Sequence, residues 1–205
     1  MFIQLVYGWD YLLYVQYWPA LWIERSHLND TGFTNDYFDI HGIWPEYYNG
    51  SYPSYCNKSA IFNVQVLKSI YTNLTKYWTD YRNAETFWKH EFYKHATCLG
   101  PNNIFRSEFD FFNNGLILRN KYNLFEILSR NNIYPSNVNK YSKNNIFNAV
   151  KSFINYEVAI TCDHKKAILN EIIICMDAKL NLINCPRMHN DCNHEYIFIN
   201  MVNPN

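Results

Sequence analysis

Ala167-Ile168-Leu169-Asn170-Glu171-Ile172-Ile173-Ile174-Cys175-Met176-Asp177 is a branched, largely apolar run set off by turn signals, and it reads as a buried strand. Glu157 to Cys162 before it and Tyr196 to Val202 after it have the same character, so the C-terminal third is β-rich. At the other end, Tyr11 to Trp18 is an aromatic and branched run ended by Pro19. Tyr37 to Ile43 reads as a second strand, stopped by Trp44-Pro45. The middle is helical. Ile61 to Tyr77 carries Val64, Leu67, Ile70, Tyr71 and Leu74 at helical spacing, and Glu85 to Ala96 is a second helix. Phe105 to Arg130 predicts two helices, broken near Asn113-Asn114-Gly115 or Asn120. Ser142 to Ile154 places Ile146, Ala149, Val150 and Phe153 on one face. Strands, then helices, then strands imply an α+β fold: a central, mostly antiparallel sheet with helices packed on one side. No repeat, Gly/Ser linker or charge block divides the chain, so residues 1–205 read as a single domain.

The 205 residues are 48% hydrophobic and 19% aromatic, ample for one core, and the formal net charge is zero. Zero net charge excludes a protein that coats nucleic acid by charge alone, because that mode needs a basic stripe. No run of about 18 apolar residues exists to span a membrane. Met1-Phe2-Ile3-Gln4-Leu5 lacks the basic start and small-residue cleavage site of a leader, so the chain reads as a mature form. Six cysteines, Cys56, Cys98, Cys162, Cys175, Cys185 and Cys192, contain no CxxC pair. Four glycosylation sequons begin at Asn29, Asn49, Asn57 and Asn73. An even cysteine count beside four sequons points to a secreted, disulfide-bonded glycoprotein, or one in the lumen of the secretory or lysosomal pathway. The alternative is a cytosolic protein with six buried free thiols.

Two stretches carry the chemistry: Phe38-Asp39-Ile40-His41-Gly42-Ile43-Trp44-Pro45 and Phe87-Trp88-Lys89-His90-Glu91-Phe92-Tyr93-Lys94-His95-Ala96-Thr97-Cys98. If Phe87 to Thr97 is helical, His90, Glu91, Lys94 and His95 fall on one arc at roughly 100° per residue, while Trp88, Phe92 and Cys98 face elsewhere. The bland reading of that arc is a solvated polar face. A zinc helix needs its two histidines four residues apart. These are five apart with a lysine between them, so no metal is expected. His41 sits at a strand end, either a satisfied core histidine or a second imidazole for the helix. Gly42 allows close backbone approach, and Trp44 offers either core packing or a flat face for a base.

The two stretches resemble the two active-site boxes of the ribonuclease T2 family, whose patterns run His-Gly-Leu-Trp-Pro and His-Glu-Trp-x-Lys-His-Gly-Thr-Cys. This chain has Ile43 for the Leu, Phe92 for the Trp and Ala96 for the Gly. Val15-Gln16-Tyr17-Trp18-Pro19 is similar to the family's first strand. Ile133-Tyr134-Pro135-Ser136 and Leu169 to Pro186 are similar to later segments, so the resemblance spans nearly the whole chain.

The resemblance implies a metal-independent and cofactor-free endoribonuclease acting on single-stranded RNA. His95 would be the base and His41 the acid, with a 2′,3′-cyclic phosphate opened to a 3′-phosphate. His90 would bind phosphate, and Lys94 and Glu91 would support the phosphorane. DNA, lacking the attacking hydroxyl, would not be cut. For base recognition the resemblance points to Trp44 and Glu46 with Tyr47 or Tyr48, and to Tyr17 or Gln16 before Trp-Pro, where relatives often carry Gln. It further implies bridges Cys56–Cys98, Cys162–Cys192 and Cys175–Cys185. A monomer is expected. The alternative function is a glycosylated effector on the same scaffold, acting on other cells by binding or glycan-mediated uptake.

Overall fold

In the computed structural model, which describes residues 8–29, 31–100, 104–186 and 189–202, β1 (Tyr11–Tyr17) runs through the middle of a five-stranded sheet. β2 (Asp39–Glu46) lies on one side of it and β5 (Ile168–Met176) on the other, with β4 (Ala159–Asp163) beyond β5. These pairings are antiparallel, and β6 (Leu182–Ile183) adds to β5. A second pair joins β3 (Tyr141–Ser142) to β7 (Tyr196–Ile197). The stretch Met1–Leu5, read above for a leader, lies outside the described residues.

The helices are α1 (Pro19–Arg25), α2 (Tyr71–Tyr77), α3 (Ala84–Lys94), α4 (Glu108–Lys121), α5 (Leu124–Ser129) and α6 (Lys143–Ile154). Side-chain oxygens cap four of them. Asn83 accepts from the Thr86 amide, Ser107 from Asp110, Asn123 from Glu126 and Ser142 from Asn145. They pack on one face of the sheet, as expected. Leu12 and Tyr14 of β1, Ile43 of β2 and Ile172 and Ile174 of β5 meet them in the main core. Strand alternation sends Tyr11, Leu13, Val15, Ile173 and Cys175 to the other face, where a smaller cluster forms with Trp44 packed against it.

Three expectations need correction. β2 is not stopped by Trp44-Pro45; it runs on to Glu46, pairing Pro45 with Leu12. It is an edge strand, where a residue without an N–H breaks no ladder. Residues 61–77 are not one α-helix, since Val64–Ile70 is a 3₁₀ helix and only Tyr71–Tyr77 is α. Of the two breaks expected in 105–130, the one at Asn113-Asn114-Gly115 is wrong, since α4 runs straight through Gly115; the helix ends at Lys121, beside Asn120.

Gly115 is there for contact. A Cβ at that position would lie 2.3 Å from Cζ3 of Trp78. Trp78 is fully buried against Phe111 and Phe112 and donates from its indole nitrogen to the His41 carbonyl, 3.0 Å away. The helical layer therefore grips β2 through one ring seated on one glycine. Gly115→Ala should destabilise the protein by about 1–3 kcal/mol. In thermal melts that corresponds to a midpoint roughly 2–4 °C lower per kcal/mol.

Candidate active site

Where β1 meets β2 the register slips: Val15 faces Gly42, but Gln16 faces Ile40, leaving His41 as an extra residue. Such a bulge re-aims the side chain it carries. On an unbroken strand, residues three apart point to opposite faces. Here the His41 and Trp44 rings meet edge to face at 4.7 Å. The bulged backbone is satisfied from the helical side by Trp78.

The second box ends differently from a continuous helix. α3 stops at Lys94, His95 caps it with φ −116° and ψ −52°, and Ala96–Cys98 forms a 3₁₀ turn. Cys98 is bonded to Cys56, and the Tyr55 amide donates to the Lys94 carbonyl at 3.1 Å, so the loop after the first box clasps this turn. The pairs Cys162–Cys192 and Cys175–Cys185 also form.

The polar arc is not a solvated face. Glu91 keeps 1% of its exposure and His95 keeps 4%, whereas His90 is exposed and Lys94 half-buried. Glu91 Oε2 accepts from the Trp44 indole nitrogen at 2.9 Å. The Trp44 ring also stacks on His95 at 5.2 Å with 25° between planes. Trp44 thus touches both imidazoles, His41 edge to face and His95 by stacking. Gly42 makes room for this. A Cβ there would fall 2.1 Å from Glu91 Oε2 and 2.2 Å from Trp44 Nε1.

Burial and charge push these groups apart. Burial lowers His95 to about 3, with Lys94, His41 and His90 adding to the effect. Burial and the nearby Lys94 and His41 also lower His90. Burial acts against the charged form of His41 as well, but its bond to Glu171, 2.7 Å from Nδ1, and the charges of Glu171 and Glu91 outweigh it, so His41 is raised. Burial lifts Glu91 to about 7, against His41, the Trp44 hydrogen bond and Lys94. Two imidazoles with opposite shifts supply a neutral base and a protonated acid at the same pH.

Two hollows flank this centre. One, about 270 Å³, is lined by Trp44, Glu46, Tyr52, Lys94, His95 and His189, with Leu13, Thr161 and Ile173 at its floor. Burial lifts Glu46 to about 7. The other, about 330 Å³, is walled by Tyr17, Trp22, Phe87, Asp80, Arg82 and Glu171, with His41 at its edge. Tyr17 lies 5.9 Å from the His41 ring.

Gln16, named above as a base contact, is corrected: it is fully buried on the opposite face of β1, donating to the Tyr122 carbonyl at 3.0 Å. Tyr47 packs against the main core and the exposed Tyr48 stacks on Tyr11 at 4.9 Å, while Tyr52 lines the hollow. Sequence reasoning missed Glu171, Tyr52, His189, Asp80, Arg82 and Phe87. Only Glu171 left a signal, as the single acid in an apolar strand. Among the described residues, no three of His, Cys, Asp or Glu are grouped to hold a metal ion, and no helix is long and apolar enough to cross a membrane.

A family model described as the ribonuclease T2 family matches residues 9–185. Ribonuclease DdI of Dictyostelium discoideum is 33% identical over 181 residues, covering 86% of this chain and 78% of its own length. Extracellular ribonuclease LE of Solanum lycopersicum is 30% identical over 188 residues, covering 86% and 80%. The crystal structure of human RNase T2 superposes with a TM-score of 0.80 at 28% identity, covering 93% of this chain and 97% of that one.

The opposed shifts are directly measurable. In an NMR titration of the imidazoles, His41 should change charge above the ordinary histidine value of 6.5 and His95 far below it, near 3. A common midpoint for the two would contradict the geometry.

Proposed function

This chain belongs to the ribonuclease T2 family and is an endoribonuclease, and from that premise we propose that it cuts single-stranded RNA by proton transfer between His95 and His41. The observation that carries the reading is the pair of imidazoles, both packed against Trp44, with protonation shifted in opposite directions.

His95, neutral, takes the proton of the ribose 2′-hydroxyl as that oxygen attacks phosphorus. His41, protonated, gives its proton to the departing 5′-oxygen, leaving a 2′,3′-cyclic phosphate. A second step with the roles exchanged opens the ring to a 3′-phosphate. Lys94 answers the negative charge that builds on the phosphorane, where a fixed cation in a water-poor site is most effective. Glu91, lifted to about 7, is a neutral acid under acidic conditions. It then avoids repelling the phosphate, and its proton is available for a phosphoryl oxygen while Trp44 holds the other carboxyl oxygen. His90, exposed one helical turn before Lys94 on α3, meets phosphate in this reading. The hollows beside His95 and His41 supply aromatic walls and hydrogen-bonding groups for bases, with Glu46 in the first and Tyr17 in the second. DNA lacks the attacking hydroxyl.

We read residues 1–205 as one catalytic domain, since the described strands and helices share one main core. Three disulfides, and four sequon asparagines that are all exposed, support a secreted or lumenal glycoprotein.

Incubated with single-stranded RNA in EDTA, the protein should produce cyclic-phosphate ends. His41→Ala and His95→Ala should each lower kcat by at least about 10²-fold. Intact RNA, or variants that cut as fast as the parent, would sink the mechanism. The pH profile follows from the signs. Activity falls on the acid side as His95 gains a proton and on the basic side as His41 loses one, so the optimum should be acidic and activity should fade above neutrality. Gly42→Ala, which drives a methyl group into Glu91 and Trp44, should cost about 10–100-fold in kcat with a small change in KM.

A further inference from the structure

We propose that Glu171 is a positioning residue for the reaction: its carboxylate fixes the orientation and tautomer of His41, so that Nε2 faces the leaving oxygen and carries the proton to be delivered. This rests on the assignment of His41 as the acid.

Glu171 is the one acid in β5, a strand otherwise built of Ile, Leu, Cys, Met and Asn. Its side chain retains 13% of its exposure. A carboxylate so placed needs partners for both oxygens, and it has them from two directions. Oε1 meets His41 Nδ1 at 2.7 Å. Oε2 accepts from the Thr161 hydroxyl at 3.2 Å, and that hydroxyl oxygen accepts from Asn170 at 3.2 Å. Thr161 lies directly across the β4–β5 ladder from Glu171, and Tyr17 directly across the β1–β5 ladder. The acid is therefore anchored on its own sheet and reaches over the central strand to His41.

Both ends of this contact sit beside register slips. One leaves His41 extra in β2; the other, between Thr161 and Cys162, leaves Asn170 extra in β5. Two irregularities in one sheet thus converge on a single hydrogen bond. With Nδ1–H donated to Glu171, only Nε2 remains to serve the substrate. This is the second partner that sets which imidazole nitrogen works. The carboxylate also favours the charged ring.

Other groups face His41 as well. Glu91 lies on α3 and favours its charged form, while Lys94 opposes it. His90 and His95 interact with it through charge. Tyr17 on β1 approaches it at 5.9 Å, and Arg25, Asp80 and Arg82 share its hollow. Of these, Glu171 is the one ion-paired to the ring.

Glu171→Gln keeps the shape and a hydrogen-bond acceptor but removes the charge. The basic limb of its kcat/KM profile should move down by about 1 pH unit. Above that limb, activity should fall roughly tenfold relative to the parent, with KM little changed. Glu171→Asp, which retains the charge one methylene short, should recover part of the shift. NMR titration of His41 in the RNA-free Glu171→Gln protein should show its midpoint lowered by the same amount. A loss uniform across pH, or an unmoved His41 midpoint, would overturn the proposal. If the parent instead cleaves RNA independently of His41, the assignment of the acid fails, while the RNA-free titration still reports on the Glu171–His41 contact.

Discussion

The site depends on one extra residue in an edge strand. His41 and Trp44 are three apart, a separation that pleating sends to opposite faces of a sheet. The bulge at His41 turns that imidazole against the Trp44 ring and towards Glu171 across the central strand. An extra residue releases backbone groups from the ladder, and a buried orphan carbonyl costs about 1–3 kcal/mol. Trp78 removes that cost by donating to the His41 carbonyl. It does so only because Gly115 leaves space for its ring. A glycine in a helix, a tryptophan in the core and a histidine at the surface are therefore one mechanical unit.

The second box is brought to the first by similar economy of volume. α3 ends one residue before His95, and the 3₁₀ turn that follows turns the imidazole inward against Trp44. The absence of a side chain at Gly42 lets Glu91 and the indole nitrogen come within hydrogen-bond reach. The cost is desolvation, which acts on each ionisable group against its charged form. Among His41, His90, Glu91 and His95, only His41 escapes it, through its paired carboxylate. Burial alone would make both imidazoles weak bases. One ion pair sets their proton affinities apart.

Much of this was legible from sequence. The strand runs, the α+β order and the helices on one side followed from hydrophobic periodicity. The residue types at His41, His90, Glu91, Lys94 and His95 were visible from two short motifs. What periodicity misjudged were places where packing overrides local signals. Gly115 reads as a helix breaker but is a contact surface for Trp78. Pro45 reads as a strand stop but lies on an edge where its missing N–H goes unnoticed. Gln16 and Tyr17 were both candidates for the cleft, and only the strand's facing direction separates them: Gln16 points to the core and Tyr17 to His41.

By itself the sequence determined the cast of titratable groups, because that depends on side-chain chemistry and spacing within two continuous segments, and the resemblance of those segments to the family's two boxes implied the reaction class. Tertiary structure decided which of them are buried, which nitrogen of His41 is engaged, and that Glu171, 130 residues away, belongs to the same centre. Those properties arise from register slips and close approaches between distant strands and helices. A one-residue shift in pairing reverses every facing direction, and no local pattern in the chain encodes it.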